Sequence, residues 1–490
     1  MPQDDDNCVV LQEEPLQVAG MDTMRRRVDQ RRVLDVDHRV RNLALGHAPD
    51  GFAHLARARG QDDIAHFQAL RIQLFHWLNR MSARRRGLGK VQKKALRDHN
   101  LSVKSNHHAF PDRIFRWIRR TMPVLRAAPA DLPHSLRNVV EYRKSGLSLN
   151  HVVGCPLDCG YCVRHLFQNF GMKQPHLVVS DSEAVDILTN HWAFRADTTP
   201  IQIFNRATEP FLPSVKDHLF ATLELLDQRG LKNSVLVITR WKIEADDIAR
   251  LERLKNIRLT ILVTWSGIED ARVEPVDSAH AENSLRVLHD HAARTKAILY
   301  WRPLIAGLND TDNHIGRALA LSEYADATVF TGLFHRAEIR AHLREAGVAD
   351  LYPEIARRKI LPAEIERRVT EAFAGKALFR KTSCGVAYAH GAADYNGHFG
   401  IREICDICPQ QQIDRCAQTH VKPEVSRVRE LAALAKLVSN HISIDDRRIE
   451  LSGSTEQQRY FIQHTLNYQV HDRSHPHLHG RHGRAEVGWK

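Results

Sequence analysis

Long hydrophobic runs are missing from this chain of 490 residues. No stretch of about 18 apolar residues occurs, so no membrane span is expected. The segment Met1 to Glu14 is acidic and has neither the positive charge nor the apolar stretch of a secretory leader. No signal peptide is expected, and the location read from this is cytoplasmic. There is no dinucleotide-binding glycine fingerprint, no internal repeat and no long low-complexity tract. Cysteine is scarce, with 8 in the whole chain, yet seven of them fall into two tight groups. A reducing compartment fits cysteines kept for metal rather than for disulfides. Cys8 stands apart in the N-terminal segment and is read as incidental.

What is present suits two to four globular units, since hydrophobic residues make up 43% and charged residues 26% of the chain. The net charge is +12. About +9 of it lies in the first ~134 residues, in Arg25-Arg26-Arg27, Arg31-Arg32, Arg84-Arg85-Arg86 and Lys93-Lys94 among others. Such a surface attracts the phosphates of a nucleotide or a nucleic acid. A solvated, arginine-rich helix face accounts for it equally well.

The chain divides by pattern. Residues 1–20 read as disordered, and 21–133 as a basic, mostly helical region ending in a proline-rich linker. Residues 134–340 alternate between β-rich runs (147–153, 200–205, 234–239, 258–264, 296–301, 327–330) and amphipathic helical segments (215–228, 245–254, 279–293, 315–324). Six β–α units in series argue for an α/β fold with a parallel sheet. Residues 341–420 hold the second cysteine group, 421–470 read as a small α+β region, and 471–490 as a His-rich, solvated tail.

The first cysteine group is Cys155, Cys159 and Cys162, in the run Gly154-Cys-Pro-Leu-Asp-Cys-Gly-Tyr-Cys162 directly after the first β-rich run. Three thiolates on one loop can hold a 4Fe–4S cluster and leave one iron open, whereas electron-transfer clusters normally take a fourth Cys. A structural zinc site, or buried cysteines with no common role, are the bland alternatives. The spacing and the aromatic Tyr161 resemble the radical S-adenosylmethionine (SAM) superfamily. The resemblance implies a partial (β/α)6 TIM-like barrel whose open iron chelates SAM. An electron from the cluster then cleaves SAM to a 5′-deoxyadenosyl radical.

Further echoes are Thr208-Glu-Pro-Phe-Leu-Pro213, Ile238-Thr-Arg240, Thr264-Trp-Ser266, Glu274-Pro275 and the run from Arg302 to Asp310. These resemble the spore photoproduct lyase and DNA-repair-photolyase-like branch over roughly residues 145–335. The resemblance implies that Glu209, beside Thr208, binds the SAM amino group. It assigns Arg240 and Ser266 to the carboxylate and ribose, and Arg302 to the same carboxylate or a substrate phosphate. Ala207 departs from the pattern, because that branch is expected to carry a hydrogen-donating Cys there.

The second group is Cys384, Cys405, Cys408 and Cys416, with a Cys-x2-Cys hook followed by Pro409. By count it fits zinc or a second 4Fe–4S cluster equally. The resemblance tips it toward an auxiliary cluster. The loop between, with His390, Asp394 and His398, reads either as a cover for the barrel mouth or as an ordinary polar loop. The leading expectation is an enzyme that removes hydrogen from a nucleotide-like or phosphorylated small molecule, with flavodoxin or ferredoxin as reductant. Its second cluster accepts an electron or donates sulfur, as in sulfur insertion into a nucleoside natural product. A DNA-lesion repair lyase and an Fe–S nucleic-acid-binding sensor are the alternatives.

Overall fold

Eight strands of the chain hydrogen-bond into one sheet in strict chain order, as seen in a computed structural model that describes residues 123 to 474 apart from Arg206, Arg357, Arg358 and Asn440. The expectations for 1–20, for 21–122 and for the His-rich stretch 475–490 lie outside the described residues. The strands are β1 Val140–Arg143, β2 Gly146–Leu149, β3 Ile201–Ile203, β4 Ser234–Thr239, β5 Arg258–Trp265, β6 Lys296–Leu304, β7 Ala327–Gly332 and β8 Leu378–Phe379. β1 and β2 form an antiparallel hairpin, and every later neighbour pairs in parallel. A chain-ordered sheet has no reversal of strand order, which excludes the doubly wound arrangement.

The sequence explains the sheet. β5 is buried at every position but the first, the near-continuous burial of a parallel strand covered on both faces. Leu259, Ile261, Val263 and Trp265 enter the main core. Leu262 points the other way, into a cluster with Leu236, Ile298 and Val329. Helices α1 Asp181–Thr189, α2 Lys216–Gln228, α3 Ala245–Leu251, α4 Ser278–His291 and α5 Asp312–Ser322 fill the connections. Ser180, Asp277 and Thr311 cap α1, α4 and α5 with side-chain oxygens that accept backbone N–H groups.

One expected strand is split. The run 147–153 leaves the sheet after Leu149, because buried Asn150 and His151 take their partners elsewhere. The Asn150 N–H donates to the Val139 carbonyl at 2.8 Å, and His151 Nε2 lies 2.8 Å from Asp181 Oδ1. Val152–Val153 then pairs antiparallel with His176–Leu177 in a separate small sheet. The first cysteine loop therefore starts from that small sheet.

After α6 Ala337–Glu345 and α7 Ala363–Ala372, helix α8 Thr382–Ala389 packs on the sheet face that carries Leu262 and Ile298. Gly385 permits the approach: a Cβ there would meet Val329 Cγ2 at 2.6 Å. Two helices, α9 Arg402–Cys405 and α10 Gln410–Thr419, carry Cys405 and Cys416 with Cys408 in the turn between them, and α11 Val425–Leu434 follows. β9 Ile442–Ile444 and β10 Arg448–Leu451 pair antiparallel. Helix α12 Glu456–Leu466 then leads to β11 Gln469–Asp472, which pairs in parallel with β10 and carries the α+β region two residues into the stretch 471–490 expected to be a tail. Among the described residues, no helix is long and apolar enough to cross a membrane.

Candidate functional site

The first cysteine loop is fixed by its backbone. Gly154 has φ +97°, and a Cβ there would meet the Gln174 carbonyl oxygen at 2.1 Å, so only glycine fits. The Cys155 N–H donates to Met172 at 2.9 Å and the Gly160 N–H to Val273 at 2.9 Å. Buried Arg164 donates from Nη1 to the Cys155 carbonyl at 2.8 Å. Cys155 and Cys159 are buried and Cys162 is half-buried. Burial pushes the Cys155 and Cys159 thiols up from their ordinary value, so a thiolate form needs a metal or a cation beside it.

That cation is Arg240, placed by the end of β4. Its Nη1 donates to Cys159 Sγ at 3.3 Å and to Glu274 Oε2 at 3.1 Å, and it also reaches the Tyr161 hydroxyl. Tyr161 donates to Glu274, and Ser266 Oγ donates to the same carboxylate at 3.3 Å. Burial opposes the charge on Arg240, yet Cys159, Tyr161, Glu274 and Glu209 around it hold it firmly protonated. Glu209 lies at the end of β3 and is buried. Its carboxylate accepts from Thr239 Oγ1, from the Arg240 N–H at 3.2 Å and from the Phe211 N–H at 3.3 Å. Burial raises its carboxyl above the usual range.

The structure thus brings Cys159, Tyr161, Arg240 and Ser266 into one network, with Glu209 bonded to the backbone of Arg240. Arg302 and Thr208 stay outside it. Arg302 stacks on Tyr300 at 4.3 Å from the ring centroid, and its buried Nε has no hydrogen-bond partner. Thr208 Oγ1 is likewise buried without one. Glu274 is the hub that sequence reasoning left without a role. The signal was there: one carboxylate before a proline, in the loop that follows a strand already expected to end at the site.

The second group lines a cavity with Cys384, Cys405, Cys408, Cys416, Asp394, His398 and Gln412 among its walls. Asp394 and His398 are buried, so this stretch is not an ordinary exposed polar loop. The loop turns inward because the Asp394 carboxylate accepts the Asn396 and His398 N–H groups at 3.0 Å each, and the Asp394 N–H donates to Cys416 Sγ at 3.4 Å. Burial works against its charge, but His398 and these bonds hold the Asp394 carboxyl well below the carboxylate range. Burial pushes Cys405 up to about 11 and Cys408 up to about 12.

A tetrahedral zinc at 2.3 Å from each sulfur sets neighbouring thiolates about 3.8 Å apart. Among the described residues, the group of three ligand atoms within 4.8 Å of one another is Cys384, Asp394 and His398, and neither cysteine group forms such a set from thiols alone.

No protein-family model and no curated protein matches this chain. Among solved structures, a variant of spore photoproduct lyase aligns with a TM-score of 0.35 and 11% identity, covering 48% of this chain and 75% of that one. A second variant, with dinucleoside spore photoproduct, aligns with a TM-score of 0.38 and 12% identity over 49% of this chain and 78% of that one. A third, with bound AdoMet and dinucleoside spore photoproduct, aligns with a TM-score of 0.32 and 10% identity over 48% of this chain and 64% of that one.

Proposed function

We propose that this chain is a radical SAM enzyme with an auxiliary iron–sulfur centre, and that residues 134–340 are its partial barrel. One observation carries the reading. Three cysteines share a single loop, one of them, Cys159, meets a guanidinium–carboxylate network at the ends of adjacent parallel strands, and the four other free cysteines of the described residues line a different cavity. The donor set suits the cofactor, since soft thiolates favour iron–sulfur ligation.

A 4Fe–4S cluster held by Cys155, Cys159 and Cys162 would supply the electron that cleaves SAM. The chain's own residues do the rest. A carboxylate offers about four acceptor sites, and Glu209 uses three, which leaves room for the SAM ammonium. Ser266 donates to Glu274 and accepts from the Ile268 N–H at 3.2 Å, which leaves one lone pair for a ribose hydroxyl. Arg240 places positive charge against the Cys159 sulfur and offsets the charge of the thiolates. Ala207 is buried beside the loop and brings no thiol, so hydrogen return to a product from that position is ruled out. This favours a product radical that loses its electron to the auxiliary centre, or takes sulfur from it, over photoproduct repair. A nucleotide-like substrate and sulfur insertion are the finer form of the proposal.

A second reading concerns only the auxiliary site. The close set Cys384, Asp394 and His398 suits one zinc ion with mixed sulfur, oxygen and nitrogen donors. Anaerobic reconstitution separates the two. Two clusters bind about 8 iron atoms per chain, and the Cys155/Cys159/Cys162→Ala variant keeps about 4. Tight zinc with only about 4 irons selects the mixed site. Reduction with dithionite in the presence of SAM then yields 5′-deoxyadenosine. Iron-loaded protein that forms none sinks the enzyme reading.

A further inference from the structure

The second cavity holds a buried amide that uses only one of its ends. Gln412 is 1% exposed and lines the cavity with the four cysteines and Asp394. Its Nε2 donates to the Ala392 carbonyl at 2.9 Å and to Cys416 Sγ at 3.5 Å. A backbone carbonyl can only accept, so the Ala392 bond fixes which end of the amide is nitrogen. Both hydrogens of Nε2 are then used. Oε1, by contrast, is buried without a hydrogen-bond partner. Leaving a buried acceptor unpaired is costly, and the fold carries that cost while keeping both donors engaged. The amide is held for its N–H groups.

Two segments produce this placement. Gln412 and Cys416 are four residues apart on α10, so their side chains share one face of the helix. Ala392 lies two residues before Asp394, whose N–H donates to the same Cys416 sulfur at 3.4 Å. Gln412 thus ties the turn 392–394 to α10, and that turn presents a second N–H to the sulfur that Gln412 itself touches. Cys416 is buried, so water does not compete freely for these bonds. The sulfur of Cys384 faces an acceptor instead, Asp394 Oδ1 at 3.7 Å.

N–H donors on a ligating sulfur stabilise negative charge there. Reduction of an iron–sulfur centre by one electron adds negative charge, so such donors favour the reduced state and raise the reduction potential. We propose that Gln412 is a positioning residue of the auxiliary centre. Through it two N–H groups, its own and that of Asp394, are aimed at Cys416, and this pair sets the potential of the centre. The assignment rests on the auxiliary-cluster reading above and adds to it the residue that tunes electron affinity.

The test uses the full chain carrying Cys155/Cys159/Cys162→Ala, reconstituted anaerobically with iron and sulfide and titrated potentiometrically with electron paramagnetic resonance as the readout. Gln412→Leu stays close to the native volume and removes the Nε2 donors. At a fixed potential it is expected to lower the reduced-to-oxidised ratio about tenfold, a shift of about 59 mV to more negative potential for one electron. Gln412→Glu keeps the shape, removes the same donors and adds a carboxylate, so it is expected to shift further in the same direction. It also gives the midpoint where Gln412→Leu fails to hold iron. A role limited to packing would lower iron content and leave the midpoint of the loaded protein in place. Iron bound at the parent level with an unmoved or more positive midpoint overturns the assignment alone. Zinc in place of iron in the parent chain sinks the cluster reading, and the assignment with it.

Discussion

Replacing Glu274 by glutamine tests whether the network at the first cysteine loop is held by charge. The Glu274 side chain is 4% exposed and that of Arg240 14% exposed, at 3.1 Å from each other. Removing one partner of a buried pair costs about 3–5 kcal/mol, because the remaining charge is left uncompensated. Two features reduce that figure here. Glutamine still offers a carbonyl oxygen to Tyr161 and Ser266, and each retained hydrogen bond keeps about 1 kcal/mol. The expected loss for Glu274→Gln is therefore about 2 kcal/mol, against about 4 kcal/mol for Glu274→Ala. Urea unfolding followed by fluorescence of Trp265, which is fully buried at the end of the neighbouring strand, reads the difference. A double-mutant cycle with Arg240→Met isolates the pair, with an expected coupling of about 2 kcal/mol. Coupling below about 0.5 kcal/mol would show that the pair behaves like a surface bridge and refute the argument.

Two further outcomes follow from the geometry. Gly154→Ala should cost at least about 2 kcal/mol, since φ +97° and a Cβ placed 2.1 Å from the Gln174 carbonyl force the loop to move; reconstituted iron should fall by about the share of the first cluster, and full iron with unchanged unfolding contradicts the account. His464 gives a pH dependence: it is buried, its Nε2 faces the Lys144 carbonyl at 3.1 Å, and burial lowers it to about 4. The unfolded chain then takes the proton first, so the contribution is whole above about pH 6.5 and is lost as pH falls toward 4. Wild type should lose about 2 kcal/mol more than His464→Gln between pH 7 and pH 5, and equal slopes for the two proteins would contradict it.

Parts of this architecture were legible in the chain and parts were not, for physical reasons. β4 to β6 are read directly because a strand covered on both faces is largely apolar, and Val235 to Val237, Ile261 to Val263 and Ile298 to Trp301 are unbroken apolar runs. The break at Asn150 and His151 is hidden because their partners, Val139 and Asp181, come from other elements. Cysteine spacing located both groups, since each is largely a local loop property. Glu274, Asp394 and His398 join the sites through contacts between distant segments, and no local periodicity records those.

The distance between the two cysteine sites is set by regular structure. Thr382, at the start of α8, reaches Tyr300, which pairs in register with Thr264. His390, just past the end of α8, reaches Thr260 at 2.8 Å. From 382 to 390 a helix rises about 12 Å. From 260 to 264 a strand rises about 13 Å. The helix therefore runs antiparallel along β5, matched in length, with Gly385 against Val329 removing the slack between them. Cys384 lies in the first turn of α8, on the side where Ser266 and Arg302 end their strands. The second cysteine cavity is thus delivered toward the first by a rod packed on the sheet.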